Sequence, residues 1–237
     1  MGFSPDSYYA WVGLYTGGPN DPGCPTPTSS WISTVQSQGW SILPLYDGYA
    51  APCQNNGSVD MSYNTTTARQ QGASDATAAM QDATSEGQAS AIIYEDMEPF
   101  PTGNSSCDAA VAAYVSGWSQ TLAQSSGNFV AGIYIGYQNM SDVNAASWKP
   151  SDVYISNGGC RASGQTNSCS AWNISGTSNS TWTGDQRIYQ YANNFTDCYG
   201  SICQQVDADA ASGTVFGAGG GDSDTSEGGS ESTSSDP

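Results

Sequence analysis

Along most of this chain, short apolar runs rich in β-branched and aromatic residues alternate with longer stretches of helical periodicity. That alternation constrains the fold more than any other feature. Ala10-Trp11-Val12-Gly13-Leu14-Tyr15 reads as a strand stopped by Gly17-Gly18-Pro19-Asn20, and Trp40 to Tyr46 as the next. Between them Ser29 to Gln38 carries Trp31, Ile32 and Val35 at helical spacing, with Gly39 after its end. The Ala-rich stretch Asn64 to Gln88 reads as one long helix or two, Ala91 to Asp96 as a strand, and Cys107 to Gln124 as the clearest helix. Phe129 to Ile135, Val153-Tyr154-Ile155 and Arg187 to Tyr191 read as later strands. Strand and helix alternating at this spacing predict an α/β protein built of βα units around a largely parallel sheet. An open doubly wound sheet and a closed barrel both satisfy the pattern.

A chain of 237 residues is long enough for one sizeable domain with a full core. Ordered structure is expected although only 37% of residues are apolar, because 7 Trp, 14 Tyr and 5 Phe supply large surfaces to bury. Beyond Tyr199 only Phe216 remains among the aromatics, so the folded domain is expected to span residues 1–216. Residues 217–237, made of Gly, Ser, Asp and Glu with few other residues, read as an acidic tail or linker.

The formal charge of −18 arises from 22 acids against four bases, Arg69, Lys149, Arg161 and Arg187. So few cations cannot neutralise phosphates, which argues against nucleic acid and against anionic membrane surfaces as partners. The absence of histidine excludes Ser-His-Asp and Cys-His catalysis and imidazole-based zinc sites. Acid–base chemistry must then come from carboxylates or Tyr, and no cofactor or metal is called for. No apolar stretch approaches the roughly 20 residues that span a bilayer, and the first residues lack the pattern of a signal peptide.

Seven cysteines without a C-x-x-C pair suit disulfides in an oxidising, extracellular compartment. The spacings favour Cys160 with Cys169, Cys198 with Cys203 and Cys24 with Cys53, leaving Cys107 over. Asn-x-Ser/Thr sequons at Asn56, Asn64, Asn104, Asn139, Asn173, Asn179 and Asn194 point only weakly to glycosylation in so Ser/Thr-rich a chain.

The sharpest chemical feature is Asp96-Met97-Glu98 at the end of a strand. Alternate residues share a strand face, so Tyr94, Asp96 and Glu98 point one way and Ile93, Glu95 and Met97 the other. Parallel β/α folds place their sites at the carboxyl ends of strands, and two carboxylates held close there push one to keep its proton. The alternative is a solvated strand end with charges facing water. Asp207 and Asp209 form a second acidic pair on one face, for which a surface loop or calcium coordination are the competing explanations. Tyr15, Tyr46, Tyr134 and Tyr191 could cover sugar rings in a cleft or fill a core. The Gly17-Gly18-Pro19 turn lacks the Lys-Ser/Thr ending of a phosphate loop.

Taken in order, several segments resemble a family of bacterial secreted glycoside-hydrolase-like barrels, the domain of unknown function 1906 type, related to the family-25-type lysozymes. The matching segments are Val12 to Gly18, Gly39 to Tyr46, Ile93 to Glu98, Cys107 with Gly117-Trp118, Gly132-Ile133-Tyr134, Gln190-Tyr191 and Val206-Asp207. The resemblance implies a (β/α) TIM-like barrel and a cleft for cell-wall polysaccharide or another glycan, with the protein a monomer, secreted or wall-associated. It implies Glu98 as general acid, Asp96 as stabiliser of the developing positive charge or of an assisting N-acetyl group, and Asp207 completing the acidic ring. Tyr15, Tyr46, Asp47, Tyr94, Tyr134 and Gln190 are the expected substrate-binding residues. A glycan-binding module with a degenerate site is the alternative. In the family's first strand Gly-Phe-Asp precedes a Cys, whereas here Gly2-Phe3 is followed by Ser4. The barrel is therefore expected to lack or shorten its first strand, Cys107 being left without the cysteine lost there.

Overall fold

The computed structural model describes residues 10–21, 23, 25–88, 91–126, 129–156, 169–199 and 201–213. The boundary proposed near residue 216, the tail and the first-strand segment lie outside them. The chain runs β1 (Trp11–Gly17), α1 (Ser29–Ser37), β2 (Ser41–Tyr46), α2 (Thr65–Ser85), β3 (Ile92–Met97) and α3 (Ser105–Ala123). It continues with β4 (Val130–Gly136), α4 (Met140–Ala145), β5 (Asp152–Ser156), β6 (Arg187–Tyr199) and β7 (Ile202–Ala211). The seven strands form one sheet in sequence order.

Strands β1 to β6 pair in parallel, as the βα alternation requires. The sheet is thus largely parallel as expected, and β7 is the one antiparallel member among the described strands, returning along β6 as a long hairpin. A hairpin needs only a short turn, whereas a parallel return would need a crossover of a dozen residues or more. The acidic segment around Asp207 and Asp209 is thus strand rather than surface loop.

The sheet curls. On a flat sheet β1 and β5 would lie about 19 Å apart at the usual strand spacing. Here the Trp11 ring of β1 meets the Tyr154 ring of β5 edge-on at 6.4 Å. Tyr154 also meets Tyr94 at 6.0 Å and Tyr134 at 4.9 Å, both T-shaped. These rings, with Leu43 and Ile188, fill the inner face, so the fold is a (β/α) barrel-like one. The other side chains of the same strands face the helices. Ile93 and Ala131 pack with Trp118 and with Ala76 and Ala79 of α2. Ile133, Ile135, Val153 and Ile155 pack with Val111 and Val115 of α3.

Two helix N-termini are capped by Asn side chains, Asn64 for α2 and Asn104 for α3. The Ala-rich stretch is one continuous helix, and two glycines let it lie directly on α3. A Cβ on Gly72 would fall 2.2 Å from the Tyr114 carbonyl oxygen, and one on Gly117 would fall 2.0 Å from that of Arg69.

The cysteine pairing departs from the sequence-based one. Cys53 bonds Cys107, tying the β2–α2 loop to the start of α3, with Cα atoms 5.9 Å apart and a sequence separation of 54. Both sit in the same buried cluster with Ala51, Met61 and Ala110, a proximity that spacing along the chain cannot reveal. Cys107 is therefore not a widowed partner of a lost first strand. Cys198 bonds Cys203 across the β6–β7 turn, as expected. Cys169 is disulfide-bonded, while Cys24 and Cys160 lie outside the described residues. A Cys53→Ser, Cys107→Ser double variant is expected to lose about 4 kcal/mol of unfolding free energy, from a closed loop of this length. Denaturant unfolding checks this, and an unchanged midpoint would refute it.

Candidate active site

The inner face of β3 delivers Tyr94 and Asp96, and Glu98 follows directly after its end, with Tyr94 deepest and Glu98 at the rim. Asp96 is 8% exposed, and its Oδ2 accepts the Tyr15 hydroxyl from β1 at 2.6 Å. Its other oxygen, Oδ1, is buried without a hydrogen-bond partner among the described residues. Burial pushes the Asp96 carboxyl up to about 7, with the charges of Glu98 and Asp47 adding and the Tyr15 hydrogen bond opposing. Glu98 stands open to solvent at the rim. The cleft walls still strip enough of its water, with Asp207 second, to raise its carboxyl above the ordinary value.

Asp47 follows β2 directly, and burial, then the charges of Glu98 and Asp21, push it up to about 6. Its backbone is seated on the Gly17-Gly18 turn: Asp47 N–H donates to Gly17 O at 2.9 Å, and Asn20 N–H donates to Asp47 O at 3.1 Å. Gly18 has φ +126°, and a Cβ there would fall 2.0 Å from the Asp47 carbonyl oxygen. The glycines therefore admit a neighbouring backbone, not a phosphate.

The opposite wall comes from β4 and the hairpin. The Tyr134 hydroxyl donates to Gln190 Oε1 at 2.8 Å, and Gln190 Nε2 donates to Asp207 Oδ2 at 3.2 Å. Asp207 Oδ1 accepts the Asn194 backbone N–H at 2.6 Å, where irregular register in β6 turns that N–H toward β7. Asn194 itself has φ +50°. The Tyr154 hydroxyl donates to Asp209 Oδ1 at 2.7 Å, and burial pushes Asp209 up to about 7.

These side chains enclose a cavity of about 340 Å³. Tyr15, Asp96, Glu98, Tyr134, Gln190 and Asp207, all expected from sequence, line it together. Asp47 stands close enough for its charge to act on Asp96 and Tyr15. Three expected residues, Asp47, Tyr46 and Tyr94, are not among its lining side chains. Tyr46 is one position out of phase on β2, so it faces the helices, 6.0 Å from Trp118. Tyr94 is wholly buried below the cavity, against Gly132 and Tyr154. Tyr191, also weighed from sequence, packs against the outer cluster. Trp11, Trp40, Tyr154 and Asp209 line the cavity without having been expected there. Strand alternation from Asp207 and within Val153-Tyr154-Ile155 was the signal for the last two.

Four carboxylates and no Lys or Arg face the cavity among the described residues. Among those residues, no cluster of three or more His, Cys, Asp or Glu side chains is arranged to hold a metal ion. Such a cavity can donate and withdraw protons and stabilise positive charge over flat, neutral, hydroxyl-bearing groups.

The model of the Rv2525c-like, glycoside hydrolase-like domain family matches residues 3–211. The chain belongs to that family. No curated protein matches it. An uncharacterised B. stearothermophilus protein of known crystal structure superposes with a TM-score of 0.49 at 16% identity, covering 85% of this chain and 84% of that one. The catalytic domain of an endolysin from a bacteriophage of Listeria monocytogenes superposes with a TM-score of 0.47 at 10% identity, covering 84% and 81%.

The raised carboxyls of this glycoside hydrolase-like domain set its pH response. Asp96, Asp152 and Asp209 are each pushed up to about 7, and Asp47 to about 6, chiefly by burial. The folded chain holds protons that the unfolded chain releases near pH 4. Their stabilising contribution is thus full below that range and is lost as pH rises through 6 to 7. Thermal unfolding is expected to be highest under mildly acidic conditions and to fall toward about pH 8. A midpoint that rises over that interval would contradict the burial of these acids.

Proposed function

We propose that this domain is a secreted glycoside hydrolase acting on cell-wall glycan, peptidoglycan in the first instance, by lysozyme-like carboxylate catalysis. Family membership supports the hydrolase class. The observation that carries the reading is the buried Oδ1 of Asp96, unpartnered among the described residues, beside Glu98 in a tyrosine-lined cavity. An acceptor stripped of water and left open costs stability unless a ligand completes it.

Glu98, at the rim, protonates the glycosidic oxygen as the bond to the anomeric carbon breaks. Asp96, fixed by Tyr15 on the floor, faces the positive charge that develops there once it is ionised, as pH rises through about 7, and in its neutral form can orient a neighbouring N-acetyl group. Water supplies the hydroxyl to the sugar and returns a proton to Glu98. Asp207, held by Gln190 and the Asn194 N–H, completes the acidic ring. The rings of Tyr15 and Tyr134 offer faces to the sugar. Disulfides and a negative charge of −18 suit an extracellular setting.

The test is release of reducing ends and loss of turbidity from a peptidoglycan suspension. One observation favours a second reading, a binding module without chemistry: Gly2-Phe3 is followed by Ser4, not by the Asp of the resembling family's first strand. Co-sedimentation with insoluble peptidoglycan in the absence of any bond cleavage would establish that reading and overturn the first.

A further inference from the structure

Behind the strand that carries the candidate site, a second carboxyl cluster is closed off from solvent. Glu95 points from β3 away from the cleft and is wholly buried. The Tyr114 hydroxyl of α3 lies 2.8 Å from Glu95 Oε1 and 2.6 Å from Asp75 Oδ2 of α2. Asp75 Oδ2 also accepts the Tyr49 backbone N–H at 3.2 Å. A phenol has one proton and can donate to only one carboxyl. The other contact is a hydrogen bond only when that carboxyl carries a proton and donates it to the phenol oxygen. Asp75, where two donors converge, is the anion. Glu95, whose Oε2 is buried without a hydrogen-bond partner among the described residues, is the acid.

The surroundings act in the same direction. Burial raises the Glu95 carboxyl well above its ordinary value, and the charges of Asp75, Asp96 and Asp47 add to it against the Tyr114 hydrogen bond. Tyr46 of β2 faces Asp75, Glu95 and Asp82 of α2, and no Lys or Arg is among the described groups acting on Glu95.

The cluster lies against the turn after β2. A Cβ on Gly48 would fall 2.4 Å from both Glu95 Oε1 and the Tyr114 hydroxyl, so this backbone rests directly on the two groups. From the other side Asn20 Nδ2 donates to Gly48 O at 2.6 Å. The turn is held between both, and Asp47 precedes it.

We propose that Glu95 is a constitutively protonated positioning residue, whose acid proton, relayed through the Tyr114 hydroxyl to Asp75, anchors the Gly48–Tyr49 turn and so sets Asp47 at the cleft. The proton count rests on the cluster alone. Only its consequence for Asp47 rests on the function proposed above.

The chain has five glutamates, few enough for carbon-13 NMR of their side-chain carboxyls in the full-length protein. One signal, missing in Glu95→Gln, is expected to stay at the protonated position at and above neutral pH. Five signals that are all ionised above neutral pH overturn the proposal, and this arm needs only the wild type.

Thermal unfolding gives the second arm. Folded Glu95 keeps a proton that the unfolded chain gives up in the ordinary glutamate range, so the cluster's contribution falls as pH rises above that range. Gln mimics the neutral acid, so the Glu95→Gln midpoint should gain on the wild type between about pH 5 and about pH 8. A difference that does not vary with pH overturns the proton count. For positioning, Tyr114→Phe should shift the pH profile of lysis while Glu95→Gln leaves it in place. An unmoved profile in Tyr114→Phe overturns the link to Asp47. A wild type that cleaves no glycan sinks the hydrolase reading and leaves the NMR result standing.

Discussion

Glu98→Gln is expected to lower peptidoglycan lysis by about 10²–10⁴-fold, the usual loss when a positioned general acid is removed. The thermal midpoint should move little. Glu98 stands at the solvent-facing rim, so the amide substitutes without leaving a hole or a buried charge. The lost quantity is the proton alone. Glutamine can still donate a hydrogen bond to the glycosidic oxygen but cannot transfer a proton to it as the bond breaks. Retained co-sedimentation with the polymer would separate chemistry from binding. Equal lysis by wild type and variant would remove Glu98 from the acid role.

Arg187→Ala is the largest stability loss expected from a single side chain. This residue opens β6, is wholly buried, and faces no carboxylate among its described partners. Its guanidinium instead donates to the carbonyl oxygens of Trp182, Ala171, Ser178 and Thr181, and to Asn179 Oδ1. Trp172 lies over it, 4.4 Å from ring centroid to guanidinium carbon. The loop from 169 to 186 contains no described helix or strand, and these bonds gather its carbonyls about one cation. Trp182 is held at φ +46°, a conformation a bulky residue adopts only when its surroundings impose it. Truncation leaves several carbonyls buried without donors, at a combined cost of roughly 3–5 kcal/mol. Lysine should restore little, since an ammonium cannot spread five planar donors over one cage. A denaturant midpoint within error of wild type would contradict this account.

Much of the element order was legible beforehand because hydrophobic periodicity is local. The strands around Val12, Ile42, Ile93 and Ile133 and the helix from Cys107 are each recognisable within a dozen residues. Asp96 and Glu98 were assigned to one face, with Glu95 to the other, by alternation along a single strand. Tyr46 shows where that reasoning stops. The apolar run from Ile42 to Tyr46 is buried on both faces, so its pattern cannot tell which side faces the barrel interior. Tyr94 shares a face with Asp96 but lies one layer too deep, and depth is not encoded in alternation.

Sequence by itself determined the α/β class, the restriction of acid–base chemistry to carboxylates and tyrosine, and the Asp96–Glu98 pair at a strand end. Those follow from residue type and nearest-neighbour geometry. Tertiary structure alone decided that β7 returns antiparallel, that Cys53 meets Cys107, and that Tyr15 grips Asp96 from 81 residues away. It also decided that Tyr114 stands between two carboxyls with one proton too few for both. Each of these depends on how far the sheet curls and how closely α2 and α3 approach. Those quantities are set by the packing of many side chains at once, and no single segment carries them.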